Sequence, residues 1–512
     1  NAESSYGFHH SLYRRVLLMD VSFIDTIFGS FVPIAPEIIM IVAALIVPAL
    51  FFITKNGKVC AAFALVMIAL SGALVGLMMH DGGFYGVYAN LFSFDAFSAL
   101  MMLLFLTVVF LVVLVSATSV ETTKHQGEYY ALLLGASTGM LFVASASSLL
   151  TIFVGVELVS ILSYALVALK KNDPRSAEAG VKYLIIGGLS SALTLYGISM
   201  LYGLTGTLQI SEIGTMIAGM SFNLPFVIAM IAIIAGYGFK ISAVPFHMWA
   251  PDVYEGAATP VSMFLATGSK KMGFVVLFKI FLVLFVVAQS GFATGEMQYI
   301  FAIIAAITMT VGNVVAISQK NIKRMLAYSS IAQAGYILIV LAVMSEYALT
   351  GGLFHMFTHV FMKGGAFIVV AALITAGLGE NISDYRGLSK RAPLVAFAMM
   401  LFLFSLAGIP PLAGFTSKFI LFSSAIFVDG VVQTQWIWLA FVAILNSAIS
   451  LYYYVRVIKA MYIEKGDSEE KLKIKKTHGV AIALCLIAVI VLGVYPGPLL
   501  GLCADAAAFF FA

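Results

Sequence analysis

"GFKISAVPFHMWAPDVYEGAATPVS", residues 238–262, starts inside a long apolar run, yet it carries Lys240, Pro245 and His247 before any loop is reached. An ionised side chain at the centre of a bilayer costs about 2.5–3.5 kcal/mol on insertion scales, so it persists only where protein or water meets it. Lys240 lies some ten residues from the loop and in a glycine-flanked break, too deep for its ammonium to reach the headgroups with ease. The stretch therefore reads as a membrane-crossing helix interrupted at a charge.

The rest of the chain agrees. Of its 512 residues, 62% are hydrophobic and 10% charged, with a mean hydropathy of +1.05; soluble domains carry roughly a quarter charged residues. A helix needs roughly 20 apolar residues to cross a core about 30 Å thick, and the runs here are continuous rather than alternating as in a membrane barrel. About fourteen spans are expected, near 33–54, 59–79, 92–118, 129–147, 149–170, 180–203, 224–249, 260–288, 298–318, 323–345, 350–377, 393–424, 436–461 and 478–501. The fold class is all-α polytopic membrane protein. Residues 1–32 read as an N-terminal extension and 33–128 as three N-terminal spans. Residues 129–288 (spans 4–8) and 298–461 (spans 9–13) read as two repeats, and 478–512 as a last span with the C-terminus.

Lys and Arg fall after spans 1, 3, 5, 9, 11 and 13, and the loops after even-numbered spans carry none. The positive-inside rule then turns the odd loops to the cytoplasm and both termini outward. Three cysteines stand far apart, without CxxC spacing, Walker loop or GxGxxG, so redox and nucleotide chemistry are expected in partners. The net charge of +4 reports topology rather than nucleic-acid binding.

Span 12, with "LAGIPPLAGFTSKF", places glycine, proline and lysine mid-run as span 7 does. Broken helices five spans apart are the mark of inverted-repeat transporters, though proline is also tolerated in ordinary membrane helices. Charges well inside the spans are Glu157, Lys240, Lys270, Lys271, Lys279, Lys363 and Lys418, joined by His247, His355 and His359. One carboxylate among several lysines suits proton transfer, because a buried lysine without a fixed counter-ion holds its proton loosely. Adjacent Lys270 and Lys271 point about 100° apart, and Lys279, two to three turns on, is read as able to face the same side as Lys270. His355, His359 and Lys363 recur at i, i+4 and i+8 along one face of span 11, a relay stripe rather than a metal site, since further ligands are missing. Glu37 and Asp95 read as boundary residues, and Lys182 and Lys459 as snorkelling lysines.

"FKISAVPFHMWAPDVYEGAATPVSMFLATGSK", "NIKRMLAYSSIAQAGYILI" and "AGIPPLAGFTSKF" together resemble the antiporter-like membrane subunits of respiratory complex I, above all subunit N. The resemblance implies a fourteen-helix bundle of two inverted five-helix repeats with helices 7 and 12 broken. It carries the family's span-5 glutamate onto Glu157 and its proton-transferring lysines onto Lys240, Lys270 and Lys418; His247, His355, His359, Lys363 and Lys279 are possible relays. It implies no cofactor in this chain, with flavin and iron-sulfur clusters in partner subunits, other membrane-arm subunits and a redox arm as partners, and a prokaryotic cytoplasmic membrane as the site. "HMFTHVFMK" in span 11 looks more like the largest antiporter-like subunit or a cation/proton antiporter. Archaeal relatives in which reduced deazaflavin replaces NADH accommodate such a mixed pattern. The alternatives are a secondary cation/proton antiporter and a structural anchor for a redox arm.

Overall fold

In the computed structural model the described residues are 32–80, 85–87, 91–218, 223–287, 294–428, 430–466 and 468–511. The expected N-terminal extension lies almost wholly outside them. Among the described residues, eleven helices are long and apolar enough to cross a membrane. They correspond to expected spans 1–3, 5–7, 9–11, 13 and 14. Span 4 is the more polar helix Gln126–Ser145. Span 8 is helical throughout but interrupted by π-helical turns at Leu265–Ser269 and Val283–Val287. Span 12 is two helices, Pro393–Ala407 and Ala413–Ser423.

Helix starts follow from local chemistry, since the first turn of a helix has N–H groups without partners. Asp95 accepts from Ser98 N at 2.7 Å, Asn321 from Lys323 N at 2.8 Å and Ser345 from Ala348 N at 3.2 Å. Span 3 begins at this Asp95 cap, not at 92, because Phe92–Phe94 pairs antiparallel with Tyr85–Val87. Span 14 breaks at Tyr495–Pro496, and a second helix, Gly497–Ala508, returns against span 3.

Position in the bundle follows the pattern of apolarity, since a helix hydrophobic all round is one surrounded by protein. Spans 3, 10 and 11 are buried along nearly their whole length, whereas spans 1, 2 and 14 present most of their surface outward. Span 11 (Glu346–Thr375) is the hub: spans 3, 10, 12 and 14 and the start of span 8 all pack on it. Span 6 lies along span 7 and span 9 along span 10. Gly236 makes the first of these contacts possible, since a Cβ there would sit 1.9 Å from Thr194 Oγ1 and 3.0 Å from Ser190 O.

Candidate functional site

The break in span 12 explains its lysine. The first half ends at Gly408, in the left-handed conformation at φ +92°, and the chain passes Pro410 and Pro411 before becoming helical again. Ending a helix inside the bilayer strands its last carbonyls, which cannot turn to water there. Lys418 Nζ, folding back from the second half, donates to Leu406 O at 2.7 Å and Ala407 O at 3.2 Å, and to Ser447 Oγ at 2.9 Å. A cation at a helix C-terminus also opposes the negative end of the helix dipole. The Tyr336 ring lies 4.9 Å from the ammonium, and beside it a cavity of about 400 Å³ opens between spans 12 and 13.

Span 7 is built alike and occupied differently. Its helix Leu224–Ile241 ends at Ser242, at φ +58°, and becomes helical again at Trp249. Here neighbours satisfy the backbone. Trp249 Nε1 donates to Phe239 O at 2.9 Å, and Val244 N donates to Thr308 Oγ1 at 3.0 Å. Lys240 is left over: buried, its Nζ has no hydrogen-bond partner and lies 5.7–5.8 Å from the rings of Tyr164, Tyr183 and Phe239. Glu157, half-buried on span 5, accepts instead from Ser191 Oγ at 2.6 Å. The acid lies on span 5 and the base on span 7, both packed on span 6, and among the described residues no ion pair joins them.

Beyond the break, His247 is buried with Nδ1 unpartnered, and so is Lys270 Nζ, 5.7 Å from the Tyr254 ring. Lys271 lies 5.9 Å from the Phe274 ring. On span 11, His355 bonds Ser417 Oγ at 2.9 Å through Nδ1 and Gln333 Oε1 at 3.0 Å through Nε2. Gln333 Nε2 in turn reaches Leu406 O at 3.2 Å, the carbonyl that Lys418 also holds. His359 is fully buried with neither ring nitrogen partnered, its ring 6.2 Å from that of His355. Lys363 donates to Leu326 O at 3.1 Å and Ser329 Oγ at 2.6 Å. The expected stripe is thus joined to Lys418 through span 10.

Two readings are corrected and one is refined. Lys279 does not share a side with Lys270: nine residues are two and a half turns, about 180° around the helix. Its ammonium donates instead to Ala144 O and, at 2.8 Å, to Ala146 O at the end of span 4. Glu37 stands at the edge of its span, in the first turn of Ala35–Thr54, but it is fully buried there, one oxygen accepting from Ser145 Oγ at 3.0 Å and the other unpartnered. Lys182 is paired rather than snorkelling, 2.7 Å from Glu178 and 2.8 Å from Asp252. Sequence reading also passed over Ser329, Gln333 and Tyr336, whose i, i+4, i+7 spacing in span 10 was the available signal, and Asn313, which donates to Tyr336 OH at 3.1 Å and accepts from Tyr453 OH at 2.9 Å. Among the described residues, no cluster of His, Cys, Asp and Glu could hold a metal ion.

Residues 146–450, which include every interior base and acid above except Glu37, match the NADH:quinone oxidoreductase/Mrp antiporter transmembrane family. The chain belongs to this family. Among its members, the F420H2 dehydrogenase subunit N of Methanosarcina mazei is 40% identical over 492 residues, covering 93% of this chain and 98% of the relative. The NADH-quinone oxidoreductase subunit N of Desulfitobacterium hafniense is 41% identical over 486 residues, covering 91% and 96%. A chain of respiratory complex I from Thermus thermophilus superposes with a TM-score of 0.75 at 28% identity, covering 92% of this chain and 99% of that one.

Proposed function

We propose that this chain is subunit N of a complex I-like quinone or methanophenazine-type oxidoreductase, an antiporter-like subunit that moves protons while partner subunits carry out the redox chemistry. The names and near-full-length coverage of its relatives support the assembly. Flavin and iron-sulfur clusters belong in those partners, and the electron donor is NADH or a reduced deazaflavin. The complex lies in a prokaryotic cytoplasmic membrane, both termini of this chain outward. Residues 129–288 and 298–461 act as two inverted units.

The observation that carries the mechanism is Lys240: buried at a helix break and without a hydrogen bond, while Glu157, the acid on span 5, is bonded to Ser191. When Glu157 moves toward it the ammonium is stabilised, and when Glu157 returns to Ser191 burial favours the neutral amine and the proton leaves. Lys270 and His247, both with unpartnered nitrogens, are the next acceptors. From there the proton passes to the bases of span 11 and on to Lys418, with Gln333 fixing the His355 ring and sharing the Leu406 carbonyl with Lys418 rather than carrying the proton. Glu157 shares its face of span 5 with exposed Leu150, Val154 and Ile161. A neighbouring membrane-arm subunit covers this face, since a carboxylate left against lipid is costly.

Replacing Lys240 by Ala should leave the complex assembled, abolish proton uptake into vesicles and slow donor oxidation at least tenfold if coupling is tight. An assembled variant with unchanged proton-to-electron stoichiometry removes Lys240 from the mechanism. The span-11 bases favour a second reading, a secondary cation/proton antiporter, but such a carrier wants more carboxylates along its path than Glu157 alone. Ion-gradient-driven proton movement without an electron donor is the result that would select it.

A further inference from the structure

A cavity of about 270 Å³ lies at the other end of span 8 from the Lys240–Lys270 groups, lined by Ser93, Asp95, Ser147, Gln209, Glu212 and Lys279 among others. Its walls are segments from three loops that all follow even-numbered spans, locked together by backbone bonds. Ser147 N donates to Leu91 O at 3.0 Å, Leu149 N to Leu208 O at 2.9 Å and Ile210 N to Ser147 O at 3.3 Å. Asp95 is almost fully buried, its carboxylate accepting from Ser98 N and, at 3.1 Å, from Ser93 Oγ.

Lys279 forms part of this wall although it projects from the interior of a membrane span. Two of its three N–H donors hold the carbonyls that close span 4. A cap alone does not require an ion here, since Ser or Gln side chains satisfy comparable carbonyls elsewhere in this chain, as Ser447 does for Ala407 O. What lysine adds is a proton that can leave, into a pocket whose other ionisable groups are the acids Asp95 and Glu212. Lys271, eight residues back and about 80° away around the helix, is the interior lysine whose direction comes nearest to it.

We propose that this cavity is an outward mouth of the first unit, distinct from the route to Lys418, and that Lys279 is the last proton-carrying group before solution on it. Its ammonium passes a proton to water in the cavity, becomes the neutral amine while still bonded to span 4, and is reloaded from the interior. This rests on the proton-translocating reading above.

The test uses the native complex in membrane vesicles of known sidedness. Cys60, Cys485 and Cys503 are fully buried, so a membrane-impermeant thiol reagent should leave the parent chain unlabelled. Lys279→Cys should be labelled in right-side-out vesicles and spared in inside-out ones, with Lys473→Cys, in the basic loop after span 13, giving the reverse. No labelling of Lys279→Cys from either side overturns the mouth. Labelling of both cysteines from the opposite sides overturns the orientation, and the outward assignment with it. Pumping separates proton release from capping: Lys279→Arg keeps the donors but holds its proton, so proton uptake should fall at least tenfold, as in Lys279→Gln. Normal pumping by an assembled Lys279→Arg overturns the proposal while leaving the translocation reading in place, provided Lys240→Ala is inactive beside it. If Lys240→Ala also pumps normally, the translocation reading has failed.

Discussion

Lys240 and Lys418 sit at equivalent breaks and are opposites in energetic terms. Lys418 makes three hydrogen bonds, each worth about 0.5–1.5 kcal/mol net and more when the donor is charged. Lys240 makes none, so only the rings of Tyr164, Tyr183 and Phe239 offset the cost of its burial. Lys240→Met should therefore leave the thermal midpoint of the solubilised complex unchanged or raised while abolishing pumping. Lys418→Met should lose pumping and also lower the midpoint, by an amount equivalent to about 1–3 kcal/mol, with Ser447 and Gln333 left to hold the freed carbonyls. Differential unfolding of the two variants side by side checks both, and equal shifts would remove the distinction. Glu37 belongs at this scale too. Its acid character was plain in the sequence, but its burial depends on span 4 delivering Ser145 to it. A residue two positions into an apolar run looks like a boundary whether or not a neighbouring helix covers it.

At the scale of elements, what could be read from residues was where helices break; how the breaks are satisfied was not. Gly–Pro–Lys combinations in spans 7 and 12 announced interruptions, since proline cannot continue the hydrogen-bond ladder. Which group takes the freed carbonyls is a matter of neighbours: Trp249 in one case, Lys418, Ser447 and Gln333 in the other. Span 8 shows the limit from the other side. No proline marks its two π-helical turns, and apolar periodicity hardly distinguishes an α turn from a π turn. Packing of span 7 against span 6 depends on Gly236, where any Cβ meets Thr194 and Ser190. Gly236→Val should destabilise the complex by about 1–3 kcal/mol through overpacking. Adding Thr194→Ala should recover part of this, since the clash with Ser190 O remains; a yield and midpoint equal to the parent's for the single variant would show that the two helices can separate without loss.

Across the whole molecule, spans 6 and 7 are tied to spans 10 and 11 by ion pairs near the start of span 10. Arg324, at the start of span 10, bonds Asp252 at 2.7 Å and Glu255 at 2.8 Å, beyond the break of span 7. Lys182 of span 6 reaches the same Asp252, and buried Lys323 joins Ala257 O to Glu380 after span 11, at 2.9 Å each. Burial pushes the Asp252 carboxyl up, but hydrogen bonds from Lys182 and Arg324 outweigh it and hold it below the ordinary range. Glu380 is raised by burial and drawn lower by the charge and hydrogen bond of Lys323. A carboxyl with a depressed folded value stabilises fully above its unfolded value, about 4, and loses that contribution as pH falls through the folded value. The thermal midpoint should thus be flat in this respect from pH 7 to about 5 and fall below about 4, and Asp252→Asn should remove its share of the fall. A variant with an undiminished acid slope would show that the slope comes from other carboxyls.

Composition and run length alone determined that the chain is a polytopic helical membrane protein, because apolar stretches of bilayer length admit no other solution. Single residues and short motifs likewise determined most of the ions that lie inside, where two helices break and which family the pattern resembles. Only the tertiary structure decided who meets whom. It set Lys279 against span 4 instead of beside Lys270, sank Glu37, left Lys240 bare and Glu157 on Ser191, and threaded Gln333 between His355 and Lys418. These are contacts between residues tens to hundreds of positions apart. In a chain whose helices are apolar on nearly every side, the pattern of hydrophobicity carries little about which face turns toward which neighbour.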